Sequence, residues 1–335
     1  MSTVLSIEDL RVGVRHRGGH RTIVDGVHLA IDAGTAVGLV GESGSGKSMT
    51  ARSVLGLFPP GADVSGRIEV GGASVLGDRR ALRAARERRV AMIFQDPRAH
   101  INAVHRVGDF MTEAMRRNLG MKRAAAEKRA VDLLGEVGIP DGERRVRQYP
   151  HELSGGLLQR VMIATAIAIE PELILADEPT TALDVTTQSE VMAILGDLRT
   201  QRGLAMLFIT HDLELAAATC DRTTVMYAGR IVEEQASSSL ADHPQHPYTA
   251  GLLVARPSID TSVRRLPVIP GRPLAAFEAG AGCAFASRCA HVADACRASA
   301  PPLVTTTTGH VACHRHDELA TATPVPSPQE ATADA

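Results

Sequence analysis

Residues 41–48 read Gly41-Glu42-Ser43-Gly44-Ser45-Gly46-Lys47-Ser48, the pattern G-x-x-x-x-G-K-[ST], and this stretch decides the fold. An apolar, strand-like run precedes it (Ala36-Val37-Gly38-Leu39-Val40), and a helix-compatible stretch begins at Met49. Strand, loop and helix in that order are the context in which this pattern binds phosphate. Its glycines let the backbone curl so that N–H groups converge on phosphate oxygens, and the helix behind adds its positive end. Lys47 is then placed to reach the β- and γ-phosphates, and Ser48 to ligate Mg²⁺. Only Lys47, Lys122 and Lys128 are lysine among 36 basic residues, so a compact ammonium is kept where a phosphate is expected.

A second chemical signal lies downstream. Leu173-Ile174-Leu175-Ala176 is continuously apolar, as a strand buried on both faces is, and it ends in Asp177-Glu178. Such a strand delivers Asp177 rigidly toward a phosphate loop, where it can hold Mg²⁺ directly or through water. Glu178, one step further, is placed to orient or deprotonate an attacking water. Between the two signals stands Leu153-Ser154-Gly155-Gly156-Leu157-Leu158-Gln159-Arg160, where serine and two glycines open a helix and make a second anion-binding helix start.

The rest of the chain sets these motifs in an α/β frame. Strands are expected at residues 4–10, 23–31, 67–70, 90–94, 173–176, 204–209 and 223–227, with a polar, basic turn at 15–21. Helices are expected at 79–89, across 104–139, and at 158–169 and 187–200. Ala130, Val131, Leu133, Leu134 and Val137 fall on one helical face. Strands alternating with helices imply a mostly parallel sheet covered on both faces, with 104–139 as an inserted helical part. Near residue 235 the texture changes to serines, prolines and histidines, then to a loop-rich stretch holding four of the five cysteines. The last residues, TATPVPSPQEATADA, have the composition of a disordered tail.

Bulk properties exclude several classes. With 335 residues, 44% of them hydrophobic, the chain is expected to hold one large domain and a small one. A net charge of −2 gives no general reason to expect nucleic acid. No apolar run is long enough to span a bilayer, and the first residues lack the pattern of a signal peptide.

Taken in order, the motifs resemble the ATP-binding subunit of an ABC transporter. Leu153-Ser154-Gly155-Gly156 is similar to that superfamily's signature, Phe94-Gln95-Asp96-Pro97 to its Q-loop, Ala182-Leu183-Asp184 to its D-loop, and Ile209-Thr210-His211-Asp212 to its switch histidine. The resemblance implies a P-loop ABC ATPase fold: a mostly parallel core, an antiparallel β edge and an inserted helical subdomain at about 96–160. It implies ATP and Mg²⁺ as cofactors. Residues 41–49, Gly41 to Met49, and Asp177 would hold the nucleotide, with Ser48, Asp177 and Gln95 around the metal. Glu178, His211 and Gln95 would carry the hydrolysis, with His211 on the γ-phosphate. Two such domains would face each other head to tail. Ser154, Gly155, Gly156 and Asp184 of each would then complete the other's site.

Tyr149-Pro150-His151-Glu152, His246-Pro247-Tyr248-Thr249 and Ile269-Pro270-Gly271 narrow the resemblance to the oligopeptide/dipeptide importers. That branch implies a boundary near 235, a C-terminal region over 236–318 and a tail over 319–335. The implied partners are a second ATPase subunit, often a different chain, two transmembrane permease subunits and an extracytoplasmic solute-binding protein, with no nucleic acid. The expected place is the cytoplasmic face of the membrane, and the expected work is ATP-driven import of di- or oligopeptides. A nickel or metallophore importer of the same architecture and a soluble ABC ATPase are the alternatives. A subunit that does not hydrolyse ATP is a further one, against which Glu178 speaks. Two departures stand out. Residues 11–16 lack the aromatic that usually stacks on adenine, a place that His16 or an arginine would have to fill, and the signature runs on as Leu157-Leu158.

Cys283, Cys289, Cys296 and Cys313 have no C-x-x-C spacing. Four thiols on loops still suggest a metal, and the resembled family implies a [4Fe–4S] cluster. Zn²⁺, with His310, His314 or His316 in the shell, and four reduced thiols are the rival readings.

Overall fold

The computed structural model describes residues 2–16, 19–181, 183–255 and 268–321. A long hairpin opens the chain, β1 (Thr3–His16) antiparallel to β2 (Gly19–Asp32). β3 (Ala36–Val40) runs through the phosphate loop into α1 (Lys47–Val54). β4 (Ala62–Val70) and β5 (Ala73–Ser74) complete an antiparallel sheet in the order β2-β1-β4-β5. α2 (Arg79–Arg88) leads to β6 (Val90–Ile93). Five helices follow: α3 (Pro97–His100), α4 (Val107–Asn118), α5 (Arg123–Glu136), α6 (Gly142–Arg145) and α7 (Gly155–Ile167). The chain then re-enters the main sheet through β7 (Leu173–Asp177), α8 (Val185–Arg202), β8 (Ala205–Thr210), α9 (Leu213–Thr219), β9 (Arg222–Tyr227) and β10 (Arg230–Ala236). The C-terminal segment adds α10 (Ser237–Leu240), α11 (Pro247–Val254), α12 (Asp294–Ala298), β11 (Val304–Thr305), β12 (Gly309–Val311) and α13 (His316–Thr321).

The main sheet has the order β11-β12-β10-β9-β3-β8-β7-β6, and its β9-β3-β8-β7-β6 part is parallel. β6, β7 and β8 are buried at every residue, which is why their apolar runs do not alternate. Leu5, Val24 and Ile68 fill the space between the two sheets together with Leu175, Leu207 and Ile209. On the other face, Met111, Leu133, Leu134 and Leu158 pack with Ile93 and Phe208. Of the predicted helical face, Ala130, Leu133, Leu134 and Val137 are buried; Val131 is half-buried beside Gly142 at its edge. Cutting a buried leucine here to alanine costs about 2–5 kcal/mol.

Two stretches differ from the sequence reading. Residues 15–16 continue β1 and residues 19–21 open β2, where a turn is expected, and residues 62–66, given no element in the sequence reading, belong to β4. The hairpin tip is solvated on both sides, so polar pairs such as Arg15–Asp63 (3.3 Å) replace the apolar alternation that marks a strand. The loop-rich C-terminal stretch also carries sheet: Val311 and His310 pair with Glu233 and Glu234 of β10, so the main sheet continues across residue 235. These strands are two and three residues long, too short for periodicity to reveal. The expected tail lies outside the described residues from 322 on. Among the described residues no helix is long and apolar enough to cross a membrane.

Candidate nucleotide site

The parallel strands β3, β7 and β8 all end at one edge, and that edge is the site. Gly46 has φ 105°, and a Cβ there would come within 2.8 Å of Met226 Cε and 3.0 Å of the Ile23 carbonyl. Only glycine serves at this turn. Lys47 is buried, and its Nζ donates to the carbonyls of Gly41 (2.7 Å) and Glu42 (3.0 Å). Burial lowers its pKa, so an anion placed in the loop would recover the ammonium's lost solvation. Ser43 and Gly44 are exposed at the loop tip, the Ser45 amide donates to Glu42 O (3.2 Å), and Met49 packs into the core between the sheets.

Ser48 Oγ donates to Asp177 Oδ1 at 2.7 Å, while Arg52 reaches Asp177 Oδ2 at 3.5 Å. Asp177 is 1% exposed, and burial raises its pKa against the pull of Ser48 and Arg52. A buried carboxylate and a hydroxyl in contact fit a Mg²⁺ site, because a divalent cation would offset that penalty. Glu178 has φ 47°, a conformation costing a non-glycine residue about 1–3 kcal/mol. Its amide donates to Ile209 O (3.0 Å), which ties this turn to β8. Its Oε2 accepts from Gln95 Nε2 (3.1 Å) and Thr181 Oγ1 (2.8 Å), with His211 Nδ1 at 3.6 Å. The structure thus gathers Gln95, Glu178 and His211 from three separate loops. Gln95, also expected on the metal, is engaged by Glu178. Asp96 behind it caps α3 through the Arg98 amide (2.8 Å), with Pro97 at the first helical position, so the turn after β6 is closed locally.

Ser154 caps α7 by accepting from the Leu157 amide (3.3 Å) and is exposed. A Cβ on Gly156 would meet Thr187 Cγ2 at 2.5 Å. Thr187 in turn donates to Asp184, from its amide to Oδ1 (3.0 Å) and from its hydroxyl to Oδ2 (2.7 Å). The signature and the D-loop aspartate are therefore coupled inside one chain, a link that no spacing announces. Ala182 of that loop lies outside the described residues. Leu158 is buried and Leu157 packs at the edge of the same core, which accounts for the apolar continuation of the signature. The His16 side chain lies outside the described residues; in the same hairpin the His20 ring covers Gly13, where a Cβ would sit 2.2 Å from it.

The C-terminal segment reaches this site. Buried Glu233 accepts from the amides of Gln245 (2.6 Å) and His246 (3.0 Å) and from Gln235 Nε2 (2.6 Å). His246 Nδ1 then caps α11 at the Tyr248 amide (3.0 Å), and the Tyr248 hydroxyl accepts from the Glu42 amide (2.9 Å) in the phosphate loop. Arg288 grips the Glu42 carboxylate with both terminal nitrogens, at 2.6 and 3.2 Å. Sequence reasoning gives Tyr248 no role and does not name Arg288. The available signal is Glu42 itself, an acid inside an anion-binding loop, which calls for a cation nearby.

The four cysteines line one cavity with His246, Phe285 and His314. Burial raises the thiols of Cys283 and Cys289, and takes Cys313 up to about 11, with the neighbouring sulfurs adding to it. Among the described residues no three His, Cys, Asp or Glu side chains converge as a single ion requires. Of the histidines considered for zinc, each has one ring nitrogen hydrogen-bonded: His310 with Thr305 (3.2 Å), His314 with Ser299 O (2.9 Å) and His316 with Cys313 O (3.0 Å). Cys220 stands apart under the main sheet, buried, with its thiol pushed up to about 12.

Residues 24–181 match the ABC transporter family profile, and residues 232–296 match the oligopeptide/dipeptide transporter C-terminal region. The oligopeptide transport ATP-binding protein OppD of Salmonella typhimurium is 40% identical over 303 residues, 90% of each chain. This chain belongs to the oligopeptide/dipeptide branch of the ABC transporter ATP-binding subunits. A probable peptide ABC transporter ATP-binding protein of Sinorhizobium fredii is 42% identical to this ABC subunit over 94% of the chain and 96% of its own length. Among solved structures, a dimeric ATP-binding cassette bound to ADP and Pi superposes with a TM-score of 0.63. It has 25% identity and covers 70% of the subunit and 98% of that cassette. The ABC subunit is an ATPase, and its cofactors are ATP and Mg²⁺.

Proposed function

We propose that this ATPase powers the import of di- and oligopeptides through a membrane complex. One observation carries the reading: the importer-type C-terminal region is built onto the phosphate loop itself, through Tyr248 and Arg288 on Glu42. The relatives' names, which speak of peptide and oligopeptide transport, support it.

The roles follow from the geometry. Amides of the 41–48 loop other than those of Glu42 and Ser45 would take the phosphates, together with the Lys47 ammonium, which has a third N–H beyond its two carbonyl contacts. Ser48 and Asp177, in contact with each other, would hold Mg²⁺, which would supply charge neutralisation at the phosphates. Glu178, oriented by Gln95 and Thr181, accepts the proton of the attacking water. His211, 3.6 Å from Glu178, would contact the γ-phosphate. Ser154, Gly155, Gly156 and Asp184 complete the site of a second ATPase subunit, a different chain, and closure of the pair drives two permease subunits. The subunit lies on the cytoplasmic face, peripheral to the membrane, and an extracytoplasmic binding protein delivers the solute.

We assign a [4Fe–4S] cluster to Cys283, Cys289, Cys296 and Cys313. Each thiolate of such a cluster binds a different iron, so four sulfurs around one cavity suit it although they do not converge on one ion.

The test is ATPase activity of the reconstituted complex, with and without binding protein loaded with di- to pentapeptides. Several-fold stimulation by peptide is expected, and ATPase activity should fall about 10²-fold or more in Glu178→Gln. Stimulation by a nickel chelate alone would replace the substrate, and activity indifferent to membrane partners would end the importer reading.

A further inference from the structure

A phosphate loop is an anion receptor, yet its second residue is an acid. Glu42 lies close enough to Lys47 for the ammonium to feel its charge. An uncompensated carboxylate there would repel the polyphosphate that the loop exists to bind. The compensation comes from 246 residues away in sequence. The Arg288 side chain is 3% exposed, and its two terminal nitrogens bond both Glu42 oxygens, at 2.6 and 3.2 Å. Arg288 is itself anchored: Nε donates to Pro270 O (2.9 Å) and Nη1 to the Tyr227 hydroxyl (3.4 Å). The far side of the same residue is fixed too, because the Glu42 amide donates to Tyr248 and its carbonyl accepts from Lys47 and Ser45.

We propose that Arg288 is a positioning residue of the nucleotide site: it neutralises Glu42 and, with Tyr248, holds the entry of the phosphate loop in its ATP-accepting form. The turn that delivers it runs from Cys283 to Cys289, with the Ala286 amide on Cys283 O (3.0 Å) and the Arg288 amide on Phe285 O (2.9 Å). The turn from Cys283 to Cys289 thus touches ATP binding through one guanidinium. The inference rests on the ATPase site and is independent of the transported solute and of what the cysteines hold.

The experiment is titration of the full chain with a fluorescent ATP analogue, together with KM and kcat for ATP in the transporter complex. Arg288→Gln removes the charge but keeps hydrogen-bonding capacity, and should weaken nucleotide binding about tenfold. The loss should fall on KM, with kcat changed far less. Arg288→Lys should recover most of the affinity. The deciding variant is E42Q/R288Q, in which neither charge remains: affinity should return to within about threefold of the parent. Wild-type affinity in R288Q overturns the proposal. So does a double variant that binds as weakly as R288Q, which would make Arg288 a support of local structure only. Should R288Q not fold, E42Q/R288Q and R288K are compared with the parent directly, and tenfold weakening in both overturns it equally. Loss of peptide stimulation with nucleotide affinity intact would strike the substrate reading and leave this one standing.

Discussion

Asp177 reaches its place on a strand buried at all five residues, while Cys283 and Cys313 reach theirs on loops 30 residues apart. The nucleotide site is held by backbone: three parallel strands end together, Asp177, Glu178 and His211 stand at or one residue beyond the ends of β7 and β8, and Lys47 and Ser48 open the helix that the loop after β3 leads into. The cysteine region is held by side chains, with Tyr227, Tyr248 and Phe285 as its small core. Backbone-held sites keep their geometry when one side chain changes. Regions with little core depend on each staple they have, and a bound metal is the strongest staple available to them.

Removing a cysteine should therefore have the largest effect on stability. Cys296→Ser is expected to abolish bound iron and acid-labile sulfide in anaerobically purified full chain. It should also lower the stability of the C-terminal region by several kcal/mol, about 3 or more. Iron analysis with thermal melting checks this. A parent chain without iron, melting together with the variant, would show that the thiols serve as ordinary packing and would remove the contrast between the two regions.

The same contrast explains what could be read in advance. GESGSGKS, LSGG and the Asp177-Glu178 pair are legible because their chemistry is done by consecutive residues. The parallel strands are legible because full burial makes them continuously apolar. β11 and β12 are not, being shorter than any period. Arg288 is one of 33 arginines, and only the fold brings it to Glu42. Glu233 reads as one surface acid among many, yet it is fully buried and collects two amides of the His246-Pro247-Tyr248 segment.

A middle-sized effect comes from His246, which burial lowers from its ordinary value near 6.5 to about 3. The unfolded chain binds this proton more readily than the folded one. The imidazole's contribution is thus complete above pH 6.5 and is lost as pH falls from 6.5 toward 3. By pH 5 the loss is about 2 kcal/mol. Glu233 faces the same turn and acts in the opposite sense, because burial raises its pKa. The measurement is therefore a difference: chemical denaturation of parent and His246→Asn at pH 7 and pH 5. Asparagine can still cap α11 but does not titrate. The parent should lose more stability than the variant between the two pH values; equal losses would place the imidazole in contact with water.

Tyr248→Phe should give the smallest effect and the sharpest comparison. The ring packs against Tyr227 (4.7 Å between centroids) and Phe285 (5.4 Å), and phenylalanine preserves both contacts. What is lost is one acceptor, the hydroxyl that takes the Glu42 amide at 2.9 Å. Leaving that amide without its partner costs about 1–2 kcal/mol, less if water replaces the hydroxyl. The cost falls on the phosphate loop, so ATP affinity should drop about three- to tenfold while global stability moves little. Charge separates this change from Arg288→Gln. Tyr248 acts on a neutral N–H, so Glu42→Gln should not rescue Tyr248→Phe, although it should rescue Arg288→Gln. If Glu42→Gln restored both, the two C-terminal residues would act through a single route. The nucleotide loop would then be held from outside by charge alone.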